Sequence, residues 1–285
     1  MGKLLLLFLS CLFVLLRACG QSTHSKRSAD CSDKHIQDSL IQKYIDSGAK
    51  KLPGAYNHPA WQSYFDSLIA VCPNIAAAYQ LKALPYIKNG EYEKAFALND
   101  MAVQLAPEKY TDYRAFLKCI FTKDYEGALV DFQKAEQLIP NGIIMDHTYS
   151  FYAGLCNLEL GNYERAEQNF KQDIFIQTGG DPGNSIHFNT LLYVGILYYE
   201  MKNNGLAKEY LLRCLQAYSK LPEANYYLAL VYEREGNETL KRKYLEIAKQ
   251  AYDQGYRMNE DNLYYANYPH EIKGYEMEEA LKGVR

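Results

Sequence analysis

The chain has 285 residues, of which 48% are apolar and 23% charged, and its formal net charge is -3. That balance describes a folded protein, and the lack of a basic excess argues against a phosphate-backbone binder, so no nucleic-acid partner is expected. The oddity is the 27 Tyr beside a single Trp.

The chain opens with Lys3 and an apolar run from Leu4 to Leu16. The run is too short to span a bilayer and reads as the core of a secretory signal peptide, residues 1–18. The stretch Leu16-Arg17-Ala18-Cys19 resembles the lipobox of bacterial lipoproteins, with Ala18 as the small residue before the cut, although Arg17 departs from the pattern. The resemblance implies that Cys19 is the lipid attachment site. Each buried acyl CH₂ contributes about 0.8 kcal/mol, so several chains would tether the protein firmly to a membrane. Gly20 in place of an acid implies the outer membrane, facing the periplasm. Residues 19–32 would then be a flexible tether.

A phrase recurs downstream: NGEYEKAFALNDMAVQLAP from Asn89, TKDYEGALVDFQKAEQLIP from Thr122 and LGNYERAEQNF from Leu160. Ala95, Ala128 and Ala166 hold the same place, with Ala102, Ala135 and Asp173 seven residues on and Phe132 and Phe170 four after their Ala. These spacings keep small and aromatic residues on one helical face, and Pro107 and Pro140 end the helix in two copies. Tyr79, Ala83 and Tyr86 form a second such face before the Asn89-Gly90 turn. Each unit is helix, turn, helix.

These residues resemble the tetratricopeptide repeat, whose period is 34 residues. The first full copy spans Ile75 to Glu108. In the second, from Lys109 to Asn141, the first helix is fitted on Tyr113, Leu117 and Ile120. The third keeps Gly154, Ala166 and Phe170; the fourth Leu191, Gly195, Tyr198, Ala207 and Leu211; the fifth Leu228, Ala229, Tyr232, Leu245 and Ala248, with Lys241 replacing a small residue. A degenerate unit precedes them. The resemblance implies an all-α solenoid over residues 33–258, closed by a capping segment over 259–285. Inside it, Pro85 should kink its helix near Leu84, at a cost of about 3 kcal/mol, unless the freed backbone is otherwise satisfied.

No residue pattern supports catalysis, a cofactor or a metal. His270-Glu271 lacks a second His, Gly274 standing where a zinc-binding helix needs it. TGGDPGNS from Thr178 lacks the Lys-Ser/Thr ending of a phosphate loop. Cys119, Cys156 and Cys214 fall on apolar helical faces, where Cys behaves as a small hydrophobe. Outside the cytoplasm, Cys31 and Cys72 are the candidate disulfide pair.

Stacked hairpins leave a concave surface lined by the first helix of each unit. Counting from the aromatic core positions places Gln80, Ile87, Arg114, Lys118, Phe121, Phe151, Asn189, Leu192, Tyr199, Glu200, Tyr226 and Glu233 there. The Lys/Asn/Arg clamp by which one subclass of the family grips a terminal carboxylate is not reproduced: Gln80, Arg114, Phe151, Leu192 and Tyr226 stand at the corresponding places. Aromatic and Arg groups suit a protein interface. The expectation is a non-enzymatic, membrane-tethered adaptor that binds a protein or peptide of the cell envelope, with glycan binding as the alternative.

Overall fold

The computed structural model describes residues 30–258 and 267–283. The proposed signal peptide, Cys19 and most of the tether lie outside the described residues, as does the first part of the proposed cap.

Helix α1 (Lys34–Ile41), with the π-turn Gln42–Asp46, and α2 (Trp61–Val71) open the fold. The helices α3 (Ala76–Lys88) and α4 (Tyr92–Leu105), α5 (Pro107–Leu117) and α6 (Tyr125–Leu138), α7 (Tyr149–Glu159) and α8 (Tyr163–Thr178), α9 (Phe188–Glu200) and α10 (Asn204–Ala217), and α11 (Pro222–Arg234) and α12 (Glu238–Asp253) follow as hairpins. Each hairpin packs on the next, and α13 (Gly274–Lys282) closes against α12. A short hairpin, β1 (Ile143–Ile144) with β2 (His147–Thr148), interrupts the run before α7, Ile143 facing Thr148.

One backbone feature repeats in all five hairpins. The residue that turns the chain is left-handed: Gly90 (φ 74), Lys123 (φ 58), Gly161 (φ 71), Lys202 (φ 60) and Gly236 (φ 71). Glycine takes this conformation without steric cost, and Lys holds it in the other two turns. The next N–H reaches back to close the helix end: Glu91 to the Tyr86 carbonyl, Asn162 to Asn157, Asn203 to Tyr198 and Asn237 to Tyr232, at 2.8 to 2.9 Å. Asp124, Asn203 and Asn237 then cap the second helix, accepting from the N–H of Gly127, Leu206 and Leu240.

The second unit corrects the sequence alignment. There Asp124 N–H reaches the Lys118 carbonyl at 3.0 Å, one residue further back than in the other four, and Lys118–Thr122 is a π-turn. The turn absorbs an extra residue, so Ala115, and not Leu117, takes the place of Ala83. The fit on Tyr113, Leu117 and Ile120 was two residues out of register.

Close approach between paired helices explains the small residues. Ala95, Ala128, Ala166 and Ala207 are fully buried, and a Cβ on Gly195 would lie 2.7 Å from Leu211 Cγ. Lys241 is buried at the same place in the last unit because its stem packs inside while its ammonium lies 2.5 Å from Glu233 Oε1. Helix α3 runs on through Pro85 as one helix.

A continuous core extends from α3 to α13, and Cys119, Cys156 and Cys214 are buried within it. A smaller core of Ile45, Trp61, Phe65, Leu68, Cys72 and Ile75 lies under α1 and α2, and there Cys31 is disulfide-bonded to Cys72. No helix among the described residues is long and apolar enough to cross a membrane.

Candidate functional site: the inner groove

The first helices of the hairpins, α5, α7, α9 and α11, are the ones the repeat architecture would turn toward an inner face. Counting back nine residues from the left-handed turn gives Tyr152, Tyr193 and Tyr227 in the last three units. Counting ten in the second unit, to allow for the π-turn, gives Tyr113. Four successive repeats therefore carry a Tyr at one register, a ladder of phenols along the groove. Tyr113 lies beside Gln80.

The other three hold a segment of the chain itself. Residues 267–273 lie across the ladder, one residue for each rung. Tyr152 Oη lies 3.3 Å from Tyr268 Oη and donates to the Met145 carbonyl at 3.2 Å. Tyr193 donates to the Pro269 carbonyl at 2.7 Å. Tyr227 Oη is 2.6 Å from His270 Nδ1, and His270 Nε2 is 2.7 Å from Glu159 Oε1. The Lys123 ammonium donates to the Asn267 carbonyl, and Ile272 is buried in the core.

Burial pushes the Tyr193, Tyr152 and Tyr227 phenols well above their ordinary range, so each stays protonated and can donate. With Tyr227 as donor, His270 Nδ1 accepts, while Nε2 lies close to Glu159 without the alignment of a hydrogen bond. The segment is a β-turn, closed by Glu271 N–H to the Tyr268 carbonyl at 3.3 Å. Pro269 is its second residue and left-handed His270 (φ 62) its third, the sequence pattern of a type II turn.

At the start of α11, Glu223 is completely buried. Burial raises its carboxyl to about 7; the backbone N–H groups of Ile272 and Met258 offset part of that rise without reaching good hydrogen-bond geometry. His147, before α7, is pressed to about 3 by burial and by neighbouring His187.

No family model matches the chain in sequence, and no curated protein does either. Solved structures do match. PilF of Pseudomonas aeruginosa superposes with a TM-score of 0.58 at 17% identity, over 76% of this chain and 94% of that one. PilW, a type IV pilus biogenesis factor, gives 0.57 at 14% identity over 80% and 95%. The Cut9–Hcn1 complex gives 0.55 at 14% identity over 79% of this chain and 39% of the matched one, so this chain spans well under half of that chain. The chain has the tetratricopeptide-repeat fold.

Within the repeat array, the residues expected in the groove separate into three groups. Phe151 and Leu192 are fully buried, and Ile87 and Asn189 nearly so. Phe151 stacks on His147 with ring centres 4.0 Å apart, as a core residue. Arg114 and Lys118 are brought together on Asp131: Arg114 Nε and Nη2 lie 2.8 and 2.6 Å from its two oxygens, and Lys118 Nζ 2.8 Å away. Arg114 also holds Asp100 at 2.7 Å. Both cations are paired with carboxylates, Asp131 of the second unit and, for Arg114, Asp100 of α4 in the first. Phe121 packs edge-on against Phe116 and Tyr92.

Tyr199 and Tyr226 flank Tyr227, with ring centres 5.6 and 5.9 Å from it. The Arg234 guanidinium covers the Tyr199 ring at 3.3 Å. Gln80 and Glu200 are half-buried, while Glu233 is exposed and paired with Lys241. Tyr152, Tyr193 and Tyr227 were missed because the groove was counted one residue along from them. Their common register was the available signal.

Among the described residues no group of three or more His, Cys, Asp or Glu is placed to hold a metal. The arrangement suits recognition: fixed donors over an apolar floor, meeting a non-helical stretch of peptide.

Proposed function

We propose that this chain is a non-enzymatic adaptor of the bacterial cell envelope, tethered through lipid on Cys19, that docks a partner protein or peptide in its inner groove. The observation that carries the reading is the phenol ladder, in which three hydroxyls from three consecutive repeats meet three consecutive residues of non-helical chain. Buried donors of this kind give specificity, because a guest lacking matching acceptors leaves them unpaired. The Cys31–Cys72 disulfide supports an oxidising compartment, and likeness to a pilus biogenesis factor supports the envelope.

The test is capture from detergent-solubilised envelopes by the full mature chain, compared with a Tyr193→Phe, Tyr227→Phe variant of unchanged helical signal. A defined protein retained by the first and lost by the second is expected. Retention on immobilised polysaccharides with no protein captured would replace the adaptor reading with the glycan one. Labelling with a palmitate analogue, lost in Cys19→Ser, checks the tether.

A further inference from the structure

Resting on the adaptor reading, we infer that the groove's guest is a Pro-containing β-turn with an aromatic residue before the Pro and an imidazole after it, and that residues 267–273 are a tethered stand-in which the guest displaces. The strap is an imprint of what the groove accepts. Its first rung meets a phenol, its second a backbone carbonyl that proline leaves on a rigid turn, and its third an imidazole held between Tyr227 and Glu159.

Two features distinguish a displaceable strap from a fixed cap. End-capping is supplied by α13, whose Ala280 and Leu281 cover Ala229 and Leu245. And although Pro269 is buried and the Tyr268 and His270 rings pack against the groove, the polar contacts of the turn fall on two points, the Pro269 carbonyl and the His270 ring, that a guest carrying the same turn can supply in their place. A left-handed His270 adds backbone strain that favours exchange.

The experiment uses the full mature chain and a labelled synthetic peptide of residues 267–273, NYPHEIK. In a Tyr268→Ala, His270→Ala variant the groove is intact and the tethered competitor weakened, so the peptide should bind at least tenfold more tightly than to wild type. Adding Tyr193→Phe should reduce that binding several-fold while keeping the ring's volume. Equal or undetectable binding to both chains, with helical signal and melting unchanged, overturns the inference.

Hydrogen exchange of wild type keeps the test decisive if the strap variant unfolds. Strap amides should exchange faster than those of α9, through partial opening; exchange only with α9 marks a fixed structural element and overturns the inference. A strap-exchanged dimer by light scattering that takes up no peptide also overturns it. The two readings fail separately. Envelope capture that ignores strap loosening sinks the stand-in but leaves the adaptor, and peptide exchange without envelope capture does the reverse.

Discussion

The indole N–H of Trp61 donates to the carbonyl of Leu81 at 3.0 Å, the carbonyl that Pro85 leaves without its helical donor. Gln62 Nε2 reaches the next carbonyl, Lys82, at 3.2 Å. Helix α2 thus replaces the backbone bond that proline removes from α3, which is why the helix continues. Trp61→Phe should cost about 1–3 kcal/mol by leaving a part-buried acceptor without its donor. Pro85→Ala supplies an N–H to that carbonyl, so the double variant should lose less than the two single effects summed. Denaturant melts in a double-mutant cycle measure the coupling; simple additivity would refute the compensation.

Arg114 is a structural residue. Its guanidinium grips both oxygens of Asp131, a carboxylate whose side chain is 4% exposed. Arg114→Met should destabilise by about 3 kcal/mol, because it leaves a buried charge with only Lys118 beside it. Arg114→Lys should recover little, since an ammonium cannot make the paired contact. Thermal melts decide this. Loss of partner capture in an Arg114 variant would accordingly report on folding of the second unit rather than on contact with a guest.

What the sequence made legible follows from its periodicity. Ala95, Ala128, Ala166 and Ala207 marked the helix contacts because a small side chain lets the paired helices approach closely there, and that signal is local. Three things escaped. The π-turn at Lys118–Thr122 shifted the second unit because counting assumes a regular turn. Asp131, Asp100 and Arg114 are joined across three helices, which no spacing reveals. The strap at 267–273 meets rungs far away in sequence, Tyr152 and Tyr193 among them, so nothing local announces it.

His147 makes the third unit acid-sensitive. Its imidazole, stacked on Phe151 and edge-on to His187, is held to about 3 in the folded chain against an ordinary value of 6.5. The shift is downward, so the folded state favours the neutral ring. Above pH 6.5 the group is neutral whether folded or not and adds no pH dependence. As pH falls from 6.5 towards 3 the unfolded chain takes up a proton that the folded chain refuses, and stability drops by about 1.4 kcal/mol per unit. His147→Leu should flatten that slope. Urea melts across this range check it, and a slope identical to wild type would refute it.

Glu223 gives the opposite dependence. The carboxyl is buried beside the backbone of Ile272 and titrates at about 7 in the folded chain, against an ordinary 4.5. The shift is upward, so the folded state favours the protonated acid. Below pH 4.5 both states are protonated and there is no penalty. Between 4.5 and 7 the unfolded chain ionises while the folded chain does not, and stability falls as pH rises; above 7 the loss levels off at up to about 3 kcal/mol. Glu223→Gln keeps the shape and the acceptor oxygen without the charge. It should therefore match wild type near pH 4 and exceed it at pH 8, because burial penalises only the ionised acid. A variant no more stable than wild type at pH 8 would show that Glu223 has found compensation for its burial.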